Sequence, residues 1–390
     1  MRTRAYVALA FAAAVGTLFG VQGIAAALPP LERDLGISDA QLGLFTAAYM
    51  FPATVFAIPL GYLADTLGRR SVFVAGALLY SLAGGAQGWV DDYGLLLVLR
   101  FLQGVGFGAL MPLSMTLIGD VLRGAAQLRA QSQRQIGMSV GEFVLPLVGA
   151  ALAGVSWQLA LGAQAALLPL AIVGLFVLAD TRSGATPTRR DYARELGEAV
   201  RQPGMPGVLT AGFLRFVCKF ALIAYLPLLL VDSRGASLGQ AALVLSVASG
   251  VAAAVNFVVV AALRRLPASL MLSVAVTVMG LALIGFAVAP GWHVALAVAI
   301  AFGLGDGVLT VVQNALVTEA APAGVRAGLV GVSGMTRNGG KLAAPLAMGA
   351  LILALPVPVA FALLGCLTVA LVPVLRPVRR LDPLLAAARV

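Results

Sequence analysis

Apolar residues run along this chain in long stretches, and polar residues collect in the short gaps between them. A stretch of roughly 20 apolar residues is what an α-helix needs to cross a hydrocarbon layer about 30 Å thick. Twelve such spans are predicted, near 6–29, 40–63, 71–90, 94–118, 134–155, 159–179, 207–231, 239–262, 268–289, 292–317, 328–353 and 356–375. The first follows Met1-Arg-Thr-Arg4, so a cleaved secretory signal competes with a retained helix. Its apolar run exceeds a signal's core of roughly 7–15 residues, which predicts the helix. One long polar stretch, from Asp180 to Gly207, divides six spans from six. The organisation predicted is an N-terminal six-helix bundle over 1–180, a cytoplasmic linker over 181–206 and a C-terminal bundle over 207–390. Within the linker, Tyr192, Leu196 and Val200 recur at four-residue spacing and predict a short amphipathic helix at the membrane surface. That segment is read as a tether between the halves.

Composition narrows the class. Hydrophobic residues make up 61% of the chain and charged residues 11%, more apolar surface than a soluble core can hide. The net charge of +10 would suggest nucleic acid in a soluble protein, but the basic residues are placed asymmetrically. The N-terminus, the even-numbered loops and the C-terminus hold 19 of the 26 basic residues, whereas the odd-numbered loops hold only Arg33 and Arg234. That bias predicts both termini in the cytoplasm and membrane lipid, not nucleic acid, as the partner. The two cysteines, Cys218 and Cys366, lie within apolar segments and suggest neither a disulfide framework nor a metal site.

The two halves share a register. A shift of 199 residues aligns Gly36, Ser38 and Gln41 with Gly235, Ser237 and Gln240, and Gly104, Gly106 and Gly108 with Gly303, Gly305 and Gly307. The same shift pairs Asp120 with Glu319, Gly141 with Gly340, and Pro146-Leu147 with Pro345-Leu346. An even number of crossings per copy leaves both copies in the same orientation.

Charges inside spans are the candidate functional residues, because each costs roughly 2.5–3.5 kcal/mol on insertion scales and needs a partner, a wet cavity or a role. Seven are read: Arg100, Glu142, Arg215, Lys219, Asp306, Arg337 and Lys341. Spans 3, 6, 9 and 12 hold none. Arg215 and Lys219 are four apart, as are Arg337 and Lys341, so each pair projects from one helical face. Five cations against two carboxylates favour a solute with an anionic group. The competing reading has Glu142 and Asp306 neutralising two cations while Arg100 and Arg215 reach towards the interfaces. Lys219 and Lys341 are the chain's only lysines. Glu142 and Asp306 are the candidate proton carriers, with a structural salt bridge as the alternative for each. Gln22, Gln103, Asn256, Gln313 and Asn314 are candidate neutral hydrogen-bonding groups for a substrate, as Asn338 is, and each could equally join helices.

The polar break between spans 2 and 3 reads Gly61, Asp65, Gly68, Arg69, Arg70 at the spacing G-x3-D-x2-G-R-R. It resembles the loop between the second and third helices of the major facilitator superfamily, and the glycines predict close approach of two helix ends there. Span 4 carries Arg100, Gln103, Gly104 and Gly108, which is similar to that superfamily's fourth-helix motif, whose arginine is linked to proton transfer in proton-coupled members. Asp120 stands where many members have an acidic residue that joins Asp65 and Arg69 in a charge relay. In span 5, Gly141, Pro146 and Gly149 fit the antiporter motif of drug exporters, while Leu145 and Ala150 stand where glycine is preferred. Span 1 has Gln22 near the place of an acidic residue found in many drug and proton antiporters.

The resemblance implies an all-α integral membrane fold of twelve transmembrane helices in two pseudo-symmetric bundles. Spans 1, 4, 7 and 10 would line a central cavity, and 3, 6, 9 and 12 would face lipid. It further implies a monomer in a bacterial-type inner membrane that moves a small solute by alternating access. The energy would come from a proton or other ion gradient, with no cofactor and no metal. Two transport readings stand: a proton-coupled carrier of an organic anion, and an exporter of amphipathic drugs by proton antiport. A channel or receptor is the alternative of another class. No catalytic constellation is read, since the single His293 sits beside Trp292 in a short outer loop and Gly303–Gly307 lacks the strand and lysine of a nucleotide loop.

Overall fold

In the computed structural model, residues 2–122, 124–179, 189–263, 265–320 and 326–383 are described, and among them no strand occurs. The helices are α1 (Arg2–Leu18), α2 (Leu28–Leu35), α3 (Asp39–Val55), α4 (Ala57–Leu67), α5 (Arg69–Ala86), α6 (Tyr93–Val121), α7 (Gly124–Ala153), α8 (Trp157–Gly162) and α9 (Leu168–Val177). They continue as α10 (Arg189–Arg201), α11 (Met205–Arg234), α12 (Leu238–Leu263), α13 (Ala268–Val288), α14 (Trp292–Glu319), α15 (Arg326–Ile352) and α16 (Val357–Ala370). A 3₁₀ helix over Val372–Leu381 follows α16.

Among the described residues, ten helical segments are long and apolar enough to cross a membrane. Two of the twelve predicted spans fall outside that set for local reasons. Span 2 is broken at Phe56 into α3 and α4, where Pro52 and Pro59 flank the break and Pro59 offers no N–H to the carbonyl four residues back. Span 11, now α15, carries Arg337 and Lys341 in its middle.

Backbone packing divides the chain into two compact units, Met1–Gly184 with Leu230–Ser246, and Ala185–Leu229 with Val247–Val390. Inside each unit the same three glycines set the spacing of a central helix. A Cβ on Gly106 of α6 would sit 2.6 Å from the Gly76 carbonyl oxygen and the Tyr80 nitrogen of α5, and one on Gly305 of α14 would sit 2.9 Å from the Ala275 oxygen of α13. Gly76 and Ala275 are equivalent under the 199-residue shift. Likewise Gly104 meets the Tyr49 carbonyl and Gly303 the Ala248 carbonyl, while Gly108 meets Ala53 and Gly307 meets Ala252. Main chain rests on main chain at these points, which only glycine permits.

The aligned turns also match. Gly36 and Gly235 both adopt positive φ, 62° and 67°, ending one helix, and Ser38 and Ser237 then cap the next. Gln41 and Gln240 close the reciprocal bond by accepting from the serine N–H, 2.8 Å in each copy.

In the second unit α10 packs against α15. Ala199 of α10 is buried, Leu196 and Val200 are half-buried, and the Tyr192 side chain lies outside the described ones. The terminal 3₁₀ helix places Leu375, Val378 and Leu381 on one straight inward stripe, as a three-residue turn requires. Beyond it, Asp382 accepts from the Ser269 N–H at 2.9 Å and the Ser269 hydroxyl at 2.5 Å, capping the start of α13.

Candidate functional site

Two buried polar clusters occupy the places where the sequence concentrates its intramembrane charge, one in each unit. In the first unit α1 stops being regular: Phe19–Gly23 forms a π turn, followed by a 3₁₀ turn over Ala25–Ala27 before α2. The wider turn displaces the local hydrogen-bond ladder, so backbone groups there can bond to side chains. Arg100 of α6, 1% exposed, uses one of them. Its Nη2 donates to the Gly20 carbonyl at 2.5 Å and its Nη1 to Gln103 Oε1 at 2.7 Å. The guanidinium lies over the rings of Tyr49 and Phe45, 4.4 and 4.9 Å from their centroids.

A neutral network extends from that point. The Gly20 N–H donates to Tyr80 Oη at 3.2 Å, and the Tyr80 hydroxyl is within reach of Gln164 Oε1 (3.2 Å) and the Thr17 carbonyl (3.3 Å). Gln103 donates to Gln164, and Gln87 donates to Gln103 Oε1 at 2.9 Å. Among the described residues, the hydrogen-bond acceptors that meet Arg100 are neutral oxygens, and no carboxylate is paired with it. Arg100 Nε and Gln22 Oε1 are buried without a partner there.

The second unit does pair its charges. Arg215 Nε of α11 lies 2.5 Å from Asp306 Oδ1 of α14, and Lys219 Nζ, one turn along α11, lies 3.2 Å from Asp306 Oδ2. The four-residue spacing therefore brings both cations to the two oxygens of one carboxylate. All three side chains are less than a tenth exposed. Phe216 stands beside them, with the Arg215 guanidinium 4.8 Å and Lys341 Nζ 5.1 Å from its ring centre. Lys341 also lies 5.9 Å from the Phe220 ring. Arg337, on the same α15 face as Lys341, reaches Asn314 Oδ1 at 3.4 Å.

Gln313 is buried and donates to Ser333 Oγ at 3.4 Å, tying α14 to α15. The Asn256 amide, oriented to meet acceptors, donates to the Gly307 and Ala252 carbonyls and ties α12 to α14. Gln103, Gln313 and Asn256 thus all make interhelical bonds. Asn314 is exposed, and Glu142 is half-buried on α7. Arg215 is buried and paired with Asp306.

Residues 10–345 of the chain match the sequence profile of the Major Facilitator Superfamily. The chain belongs to that superfamily. It is similar to multidrug transporter protein MdtP of Bacillus subtilis (strain 168), 34% identical over 125 residues that make up 32% of this chain and 22% of MdtP. It is also similar to multidrug resistance protein MdtL of Escherichia coli, 25% identical over 240 residues, 61% of each protein. The aligned parts therefore span less than two thirds of either relative. The fold matches the crystal structure of a bacterial homologue of the human lysosomal transporter Spinster, with a TM-score of 0.78 at 18% identity over 99% of this chain and 97% of that one.

The superfamily's loop between the second and third helices, here between α4 and α5, is built from one strained glycine and one ion pair. Gly68 has φ 99° and ψ 141°, a region open to glycine alone, which turns the chain from α4 into α5. Arg69 Nη1 then pairs with Asp120 Oδ1 at the end of α6, while Arg70 is half-buried and the Asp65 side chain lies outside the described ones. Gly61 departs from expectation. A Cβ there would meet no described atom within 4 Å, because the residue borders a cavity of about 90 Å³ beside Pro112 and Gly108.

Several members of these clusters were silent in the sequence. Tyr80 and Gln164 belong to spans 3 and 6, where the resemblance implies a lipid-facing position, yet both are buried and hydrogen-bonded. Neutral side chains in apolar runs give no charge signal. Arg134 was counted with the loop cations at the edge of span 5, but it is 4% exposed and donates from Nε to Ser114 Oγ at 2.9 Å. The helical ladder of α7 extends ten residues before it, which the apolar pattern alone does not reveal.

Proposed function

We propose that the protein is a secondary active transporter that moves a small organic anion by alternating access, driven by a proton gradient, as a monomer in the cytoplasmic membrane with both termini inside. The observation that carries this reading is the buried positive charge of Arg100, which no described carboxylate meets. Arg100 is met by neutral oxygens, and Arg215 and Lys219 lie together at the Asp306 carboxylate. A buried cation met only by neutral groups is expensive, and a solute carrying a carboxylate, sulfonate or phosphonate supplies a counter-charge. Lys341 and Arg337 on α15 add two cations on the face that meets Phe216 and Asn314. Glu142 on α7 and Asp306 on α14 are the candidate proton carriers.

A second reading, export of amphipathic drugs by proton antiport, is favoured by the similarity to MdtP and MdtL. Counterflow in proteoliposomes separates the two. Under the first reading labelled organic anions accumulate, a protonophore stops the driven flux, and Lys341→Gln abolishes it. Uptake of cationic dyes with no anion movement, or unaltered anion flux in Lys341→Gln, refutes the first reading. For coupling, Glu142→Gln is expected to lose pH-driven flux while exchange persists.

A further inference from the structure

The 3₁₀ helix over Val372–Leu381 carries charge that transport of a solute leaves unused. A three-residue turn puts every third side chain in one row, so Leu375, Val378 and Leu381 are buried while Arg376, Arg379 and Arg380 are exposed. Arg376 and Arg379 share a row and stand about 6 Å apart along the axis. None of the ion pairs among the described residues involves these three arginines.

The helix is pinned on two sides within the second unit. Asp382 caps the start of α13 through Ser269, and α13 packs along the 3₁₀ helix. On the other side lies the turn into α11. There Gly204, at φ 104°, comes so close that a Cβ would sit 2.8 Å from Leu381 Cγ, and one on Gly207 would sit 2.8 Å from Val378 Cγ2. The arginines are thereby fixed where α11 and α13 begin and α16 ends. Beside them the surface is apolar. Leu270 and Val274 on α13, and Leu363 and Leu367 on α16, are exposed at four-residue spacing in the two turns of each helix nearest the 3₁₀ helix. Val374, also exposed, continues this surface onto the 3₁₀ helix itself. The first half has no counterpart, since the 199-residue shift sets the three arginines against Val177, Asp180 and Thr181.

We propose that this corner is a docking site for an anionic phospholipid, with the arginines holding the headgroup phosphate and the exposed face of α13 and α16 receiving the acyl chains. A guanidinium presents two parallel N–H groups to a phosphate, and apolar rows that end in such cations have the polarity profile of a lipid molecule. A bound lipid braces the ends of three membrane helices through one pinned element. Lipid docking of this kind is independent of which solute is carried and in which direction.

Purified full-length protein in neutral detergent is titrated with phosphatidylglycerol, with phosphatidylcholine and with water-soluble glycerol 3-phosphate, and bound molecules are counted by native mass spectrometry. Each arginine at an anionic headgroup is worth about fivefold in affinity, so the triple variant Arg376→Gln, Arg379→Gln, Arg380→Gln is expected to bind phosphatidylglycerol about 100-fold more weakly. Its phosphatidylcholine binding is expected to stay within about twofold of the parent's, because no net headgroup charge is at stake. Phosphatidylglycerol should raise the unfolding temperature of the parent and not that of the variant. If the triple variant is not monodisperse, Arg376→Gln with Arg379→Gln carries the test, with an expected loss of about 25-fold. Arg194→Gln with Arg201→Gln removes two exposed arginines of α10 and is expected to change binding by less than about twofold. Parent-like phosphatidylglycerol binding in the triple or double variant, or an equal loss in the α10 variant, overturns the site. Binding of glycerol 3-phosphate as tight as that of phosphatidylglycerol overturns the lipid as its occupant.

Discussion

The glycine contacts of α6 and α14 predict an ordered set of stabilities. In Gly106→Ala the new methyl would lie 2.6 Å from a carbonyl oxygen and a backbone nitrogen of α5 and 2.9 Å from the Tyr80 Cα. Restoring an ordinary contact of about 3.4 Å requires α5 and α6 to part by about 0.8 Å, since no side chain can swing away. A gap of that size forfeits a quarter to a half of the dispersion energy of the atoms lining it, and overpacking of this kind costs about 1–3 kcal/mol. Alanine returns about 0.5–1 kcal/mol through helix propensity, leaving a net loss of about 1–2 kcal/mol. In Gly305→Ala the nearest atom, at 2.7 Å, is the flexible Met279 Cγ, and the nearest backbone atom, the Ala275 oxygen at 2.9 Å, needs only about 0.5 Å of parting, so the net loss should be smaller, about 0.5–1 kcal/mol. In Gly61→Ala no described atom is within 4 Å and only the propensity gain remains, so that variant should be stabilised by about 0.5–1 kcal/mol. Thermal unfolding of the three detergent-purified variants, followed by intrinsic fluorescence, gives the order directly. Equal destabilisation by Gly61→Ala and Gly106→Ala would refute the claim that main-chain contact, not the glycine motif as such, sets the cost.

Further outcomes follow from the polar clusters. Arg100→Lys keeps the charge but loses the fork that joins Gly20 to Gln103, so it should lower stability by about 2–3 kcal/mol in the same assay. Asp382→Ala removes the cap on Ser269 and should cost about 0.5–2 kcal/mol, with faster amide hydrogen exchange confined to the first turn of α13. Asp120→Asn weakens the pair with Arg69 and should change the reactivity of cysteines placed on either side of the membrane more than it changes substrate KM.

The sequence made legible whatever repeats or costs energy. Hydrocarbon thickness fixes span length, so all twelve crossings could be drawn, and the matched Ser38/Gln41 and Ser237/Gln240 turns could be aligned before their caps were seen. Charges within spans pointed to the Asp306 cluster because membrane burial penalises them. The choice of partner was not legible: Asp306 is 87 and 91 residues from Lys219 and Arg215, and four intramembrane cations of the second half were equally available to it. Nor was the neutral network of Tyr80, Gln164, Gln87 and Gln103, whose members look like ordinary polar residues of apolar helices. The π turn at Phe19–Gly23 leaves no trace in composition, since it changes which carbonyl each N–H meets and not which residues are present.

That turn makes the length of the first crossing a set quantity. A π turn holds one residue more than the regular helix would, and one residue corresponds to about 100° of rotation. Deleting a single residue between Phe19 and Gly23 would let α1 wind straight, and the segment before it would spin out of phase with its neighbours. Tyr6, whose hydroxyl receives the Ala179 N–H, and Thr17, whose carbonyl serves Tyr49, would then face the wrong way. A homologous helix of the same composition but one residue shorter could thread the bilayer equally well and still leave Arg100 facing a closed ladder.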